Sequence, residues 1–244
     1  VRAQAAATRA AGTVLLILDA SGSMASLLGK ESRFEAARRL AGRALGAAGH
    51  GTQVGLRVYG HRYLATDARA DEDTELVVPI GPADRTELAE TLARLRCRGK
   101  TPLARSLAEA LDDLSCGIEG ERRVVLLTDG LESDRRARPE EAAWALGKAG
   151  IRLDVIGLAL GDPAADAALA RLAQAGGGTY YPAGDAEALE RSLRGAVARV
   201  VPFFVLDGEG RKTAGGQAGE TLKLPAGGYT IEVHLTDGAQ RASI

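Results

Sequence analysis

The chain has 244 residues, 45% of them hydrophobic and 26% charged, enough apolar side chains for a full core and too many for disorder along its whole length. Its 31 basic and 32 acidic residues nearly cancel, so no global positive field exists to hold nucleic acid or an anionic lipid surface. The cysteines and histidines (Cys97, Cys116, His50, His61 and His234) are too scattered for a zinc site, which needs about four ligands at short spacings.

Apolar runs alternate with helical patterns. Val14 to Leu18 is a continuous apolar run, as expected of a strand buried on both faces. Phe34 to Ala48 has helical spacing, and Gln53 to Tyr59 and Glu75 to Ile80 read as strands joined by a long polar loop. Arg85 to Leu95 and Pro102 to Leu114 read as helices, the second with Thr101 and Pro102 at its start. At about 1.5 Å per residue that second helix would separate Cys97 and Cys116 by roughly 20 Å, against the ~7 Å limit for a disulfide. Val124 to Thr128, Leu153 to Leu160 and Thr179 to Pro182 are further strands; Glu140 to Ala149, Ala164 to Ala175 and Ala186 to Val200 are the helices between and after them. The order predicts an α/β, doubly wound and mostly parallel sheet with helices on both faces over residues 1–201. Trp144 and Met24 are expected in or near its core.

After Val201-Pro202 the pattern changes to short strands, Phe203 to Leu206, Thr221 to Leu224 and Tyr229 to Leu235, separated by Gly-rich turns. Residues 202–244 therefore read as a small β-rich extension, an incomplete β-sandwich module or a sheet packed on the main domain. No stretch reaches the roughly 18 apolar residues of a membrane span. The sequence opens at Val1 where Met would be expected, which predicts a preceding segment, such as a signal peptide or anchor.

The first buried strand ends in Asp19-Ala20-Ser21-Gly22-Ser23-Met24. A carboxylate and two hydroxyls stand at the carboxyl edge of the sheet, where α/β folds place their sites. All are hard oxygen donors, suited to Mg²⁺ or Mn²⁺. Thr101 at a helix start and Asp129 after another buried strand supply two more. If the two strands are neighbours, Asp19 and Asp129 stand side by side, each disfavouring the other's ionised form until a cation neutralises them.

This set resembles the von Willebrand factor A family, whose metal-ion-dependent adhesion site has the form Asp-x-Ser-x-Ser, then a distant Thr, then an Asp after a buried strand. The resemblance covers about residues 12–200 and includes Gly99-Lys100-Thr101-Pro102-Leu103, Leu127-Thr128-Asp129-Gly130 and Gly177-Gly178-Thr179-Tyr180-Tyr181. It implies Mg²⁺, with Mn²⁺ or Ca²⁺ as substitutes, held by Asp19, Ser21, Ser23, Thr101 and Asp129. It also implies non-catalytic binding of a protein or peptide whose exposed Asp or Glu completes the metal's shell. The likeness is strongest to bacterial extracytoplasmic members, which points to a periplasmic, secreted or membrane-anchored chain.

Two other functions compete. A haloacid-dehalogenase-like phosphatase would use Asp19, Thr128, Lys148, Asp162 and Asp166 in that order, but Ser21 stands where its acid/base carboxylate belongs. An interaction subunit could instead dock through the β-rich extension. Gly99-Lys100-Thr101 is no phosphate-binding loop, because Arg94 takes the place of the required earlier glycine. Parallel strands leave the loop after Tyr59 at the proposed metal edge. His61, Arg62 and Tyr63 on it, and Arg135 with Arg136 and Arg138 after Asp129, read either as a recognition rim or as solvated loop residues.

Overall fold

The computed structural model describes residues 12–48, 52–115, 120–197, 202–217, 222, 224–235 and 238–243. One compact unit spans Ala11–Ala198 and another holds Arg199–Ile244. The first contains β1 (Gly12–Asp19), a two-residue hairpin of β2 (Leu27–Leu28) and β3 (Glu31–Ser32), α1 (Arg33–Gly46), β4 (Gln53–Tyr59) and β5 (Thr74–Pro82). It continues through α2 (Arg85–Arg94), α3 (Leu103–Ser115), β6 (Glu121–Thr128), α4 (Pro139–Lys148), β7 (Ile151–Leu158), α5 (Pro163–Ala175), β8 (Tyr180–Ala183) and α6 (Ala186–Val197).

The main sheet has the order β5-β4-β1-β6-β7-β8. Its strands run parallel except β5, which forms an antiparallel hairpin with β4. Every residue of β1 is buried, because the strand has neighbours on both sides and helices over both faces. Its side chains alternate between two cores. Val14, Leu16 and Leu18 join the layer with Phe34 and Leu40 of α1, Leu88 of α2 and Leu193 of α6. Leu15 and Ile17 meet Leu107 of α3, Leu146 of α4 and Leu169 of α5. A strand sealed on both faces cannot alternate in polarity, which is why its sequence is an unbroken apolar run.

The helices begin where local chemistry permits. Ser32 and Glu35 form a capping box: Ser32 Oγ accepts from the Glu35 N–H at 3.1 Å and Glu35 Oε2 accepts from the Ser32 N–H at 2.9 Å. Asp84 and Asp162 cap α2 and α5. Trp144 corrects the expectation of a core position: it is 58% exposed, with Lys148 Nζ 5.0 Å from its ring centre. Ala143 and Leu146 already fill the inward face of α4, and Trp144 falls on the other side of the helical wheel. Met24 is fully buried.

The second unit carries the antiparallel sheet β10-β9-β11-β12, built from β9 (Pro202–Leu206), β10 (Lys212–Gln217), β11 (Thr230–Leu235) and β12 (Gly238–Ser243). The strand expected at Thr221 to Leu224 is not formed at residues 222 and 224; residues 221 and 223 lie outside the described set. A strand missed by patterning runs instead through Lys212–Gln217, where Gly215 and Gly216 erase the side-chain alternation while the backbone still pairs with β9. His50 and Cys116 also lie outside the described residues, and Cys97 is a free thiol. Among the described residues no helix is long and apolar enough to cross a membrane.

Because the Ala11–Ala198 unit has its own two-sided core, we expect a chain cut after residue 201 to unfold in one cooperative thermal transition followed by circular dichroism. An insoluble or non-cooperative product would place residues 202–244 in that core.

Candidate metal centre

β1 and β6 are direct neighbours, so the residues that end them share one edge of the sheet. Asp19 is fully buried and takes two hydrogen bonds, from the Ser21 N–H to Oδ1 at 2.7 Å and from Thr128 Oγ1 to Oδ2 at 2.7 Å. Asp129, its carboxylate fully shielded from solvent, accepts from Ser23 Oγ at 2.6 Å. Ser21 Oγ and Ser23 Oγ lie 3.0 Å apart. A hydroxyl has one proton, and Ser23 gives its proton to Asp129, so Ser21 is the donor to Ser23. Asp19, Ser21, Ser23 and Asp129 are thus joined in one hydrogen-bonded series across two strand ends, its first link made by the Ser21 backbone N–H and the other two by hydroxyls.

Thr101 reaches this edge by backbone lacing. Gly99 accepts from the Gly22 N–H at 2.9 Å, and the Arg98 N–H donates to the Ala20 carbonyl at 2.9 Å. Two glycines make the approach possible. Gly60 has φ +71°, and a Cβ on it would come within 2.6 Å of the Lys100 carbonyl; a Cβ on Gly99 would come within 2.8 Å of Gly60 Cα. On the other side, Thr101 N–H donates to Ser133 Oγ at 2.8 Å and Thr101 O accepts from the Ser133 N–H at 3.1 Å. With both backbone groups of the buried Thr101 spent on Ser133, its hydroxyl is what it has to offer.

Burial pushes the Asp19 carboxyl above its ordinary range, and the charge of Asp129 pushes it further. The cation that offsets this pair is one that patterning overlooked. Arg33, the first residue of α1, places Nη1 2.8 Å from Asp129 Oδ2 and donates from Nη2 to the Ala159 carbonyl at 3.0 Å. Ala159 holds φ +50°, uncommon for a residue with a side chain, and Arg33 Nε is buried without a hydrogen-bond partner. Thr128 joins Asp19 to the buried Tyr59, whose hydroxyl donates to Thr128 Oγ1 at 3.0 Å. Nothing in a one-dimensional pattern separates Arg33 from the chain's many other arginines. The Ser32/Glu35 capping box, which fixes where α1 starts, is the nearest signal for it.

The residues considered for a recognition rim have these surroundings. Arg62 and Tyr63 turn onto their own loop: Asp73 accepts from the Arg62 N–H at 2.8 Å, Arg62 Nε at 2.7 Å and the Tyr63 N–H at 3.1 Å. His61 has Nε2 3.1 Å from Glu75 Oε2. Arg135 is exposed on the loop after Asp129. The phosphatase set does not assemble. Lys148 stacks on Trp144, Asp162 caps α5 and Asp166 accepts from the Tyr180 hydroxyl.

The donor set fits a hard divalent cation: two buried carboxylates and three hydroxyls, all oxygen, with no nitrogen or sulfur among them. Among the described residues no group of three or more His, Cys, Asp or Glu is placed to hold a metal ion by itself. A cation at this edge would therefore draw on hydroxyls as well as carboxylates.

Comparison with known proteins bears on the family and the fold. The von Willebrand factor type A domain signature matches residues 14–132, which include Asp19, Ser21, Ser23, Thr101 and Asp129. The uncharacterized protein YwmC of Bacillus subtilis strain 168 is 31% identical over 181 residues, covering 72% of this chain and 78% of YwmC. An aerotolerance-related membrane protein of Bacteroides fragilis superposes with a TM-score of 0.60 at 20% identity, over 76% of this chain and 98% of that one. The pilus adhesin SpaC of Lactobacillus rhamnosus GG superposes with a TM-score of 0.63 at 16% identity, over 97% of this chain and 38% of SpaC. The chain belongs to the von Willebrand factor type A domain family.

Proposed function

We propose that this protein is a non-catalytic binding module that holds a protein or peptide partner through a divalent cation, Mg²⁺ foremost. Asp19, Ser21, Ser23, Thr101 and Asp129 would hold the cation, and an acidic side chain of the partner would complete its shell. The observation that carries this reading is the hydrogen-bonded series Asp19–Ser21–Ser23–Asp129, which gathers two carboxylates and two hydroxyls at adjacent strand ends. When bound, the cation supplies a concentrated positive charge for an anionic side chain. The chain's own residues do the rest. Thr128 orients Asp19, Ser21 and Ser23 present their oxygens to one side, and Arg33 holds Asp129 in place.

The competing phosphatase arrangement finds no support in the geometry. Ser21 cannot shuttle a proton near neutral pH as a carboxylate does, and Lys148, Asp162 and Asp166 are committed elsewhere. The fold likeness to a membrane protein and to a pilus adhesin supports placement outside the cytoplasm.

Thr101→Val keeps the shape of the side chain and removes its hydroxyl. Calorimetric titration with Mg²⁺ should show affinity falling by about 1–3 kcal/mol, the usual range for losing one polar partner at a buried site; unchanged affinity would remove Thr101 from the metal shell. Arg33→Met removes the internal cation and leaves Asp129 buried with less compensation. With excess chelator its melting temperature should fall by several degrees, at about 2–4 °C per kcal/mol for a domain of this size. Saturating Mg²⁺ should then raise it by more than it raises wild type, since a ligand of the native state replaces the lost charge. An Arg33→Met protein as stable as wild type in chelator would mean that Arg33 does not neutralise this site.

A further inference from the structure

Beside the proposed metal edge, between β5 and the end of α2, lies a cavity of about 380 Å³. Arg94, Arg96, Arg98 and His61 line it, with Val77 and Leu95 between them. Among the described residues no Asp or Glu lines it. Three guanidinium groups on one concavity repel one another, and low-dielectric walls concentrate their field. Their internal compensation is slight. Arg94 Nη2 is 3.5 Å from Glu90 in a solvent-exposed pair, which water and salt screen. Arg96 Nη1 has only backbone partners, the carbonyls of Ala93 at 3.0 Å and Leu95 at 2.8 Å. Arg98 is exposed, and no acidic partner meets it among the described residues.

The cavity shares its loop with the oxygen cradle. The Arg98 N–H is fixed between the carbonyls of Ala20 at 2.9 Å and Gly60 at 3.2 Å. Gly99, the next residue, bridges to Ser21, and Thr101 follows two positions on. His61 directly follows Gly60, and its imidazole is nine-tenths buried at the cavity wall. A ligand seated at the metal edge would therefore pass within a few residues' reach of the arginines.

We propose that this cavity is a second anion subsite, taking a carboxylate of the same partner, so that the partner is a peptide segment with two or more acidic side chains. This rests on the metal-dependent reading for the first carboxylate only. The arginines act on the second, and their contribution does not require the cation. Arg offers a planar fork of donors that matches a carboxylate in paired hydrogen bonds.

The test is fluorescence anisotropy of the full chain with fluorescein-labelled octaglutamate, at low salt, in millimolar Mg²⁺ and in chelator. Wild type should bind in both conditions and more tightly with Mg²⁺. Arg96→Gln/Arg98→Gln should weaken binding at least fivefold in both. A control removing equal charge from helix surfaces, Arg105→Gln/Arg171→Gln, should change it less than twofold. If the two double variants behave alike, or if wild type does not bind octaglutamate, the subsite is refuted. Failure of the metal reading looks different: affinity is the same in Mg²⁺ and chelator, while the Arg96/Arg98 loss persists.

Discussion

Two carboxylates buried at neighbouring strand ends set the terms for this molecule. A buried ionised carboxylate costs several kcal/mol unless it is paired and hydrogen-bonded, and here Asp19 and Asp129 share one oxygen network. Almost every unusual feature of the sheet edge answers that cost. Thr128 and the Ser21 N–H satisfy Asp19, Ser23 satisfies one oxygen of Asp129, and Arg33 satisfies the other. The arginine reaches in from the first turn of α1, a position that the Ser32/Glu35 cap determines. In the proposed reading a divalent cation would supply further charge at the same edge.

The fold makes this edge possible because parallel strands deliver their carboxyl ends to one side. Four loops meet there at backbone distance, through Ala20–Gly22, Gly60, Arg98–Gly99 and the turn carrying Ser133. Close backbone contact leaves little room for side chains, which explains glycine at 60 and 99 and the rigidity with which Thr101 is set. The neighbouring cavity on the β5 side gathers Arg94, Arg96 and Arg98 with no Asp or Glu in its lining among the described residues, in contrast to Arg62, which Asp73 holds tightly.

Much of this architecture was legible in the sequence, and physics explains which parts. Strands such as Val14 to Leu18 announce themselves because burial on both faces forbids polar residues, and the Asp-x-Ser-x-Ser run is conspicuous because hydroxyls rarely crowd the end of an apolar strand. Thr101 and Asp129 could be named from their positions at a helix start and a strand end, though not their hydrogen bonds. Arg33 was invisible for the opposite reason: an exposed-looking arginine at a helix start has many solvated equivalents, and only the third dimension brings it to Asp129. Trp144 misled because size suggests burial, whereas the inward positions of α4 were already taken by Ala143 and Leu146. β10 escaped because Gly215 and Gly216 carry no alternation, although backbone pairing does not require it.

In the proposed reading a divalent cation sits among Asp19, Ser21, Ser23, Thr101 and Asp129. The most direct measurement is paramagnetic broadening by substoichiometric Mn²⁺ in an amide correlation spectrum of the isotopically labelled chain. Signals of Ser21, Gly22, Thr101 and Gly130 should vanish first, those of Thr13 and Arg122 at the opposite edge of the sheet should persist, and Mg²⁺ should restore the lost signals. Broadening confined to exposed acidic residues away from this edge, or no saturable broadening at all, would contradict it.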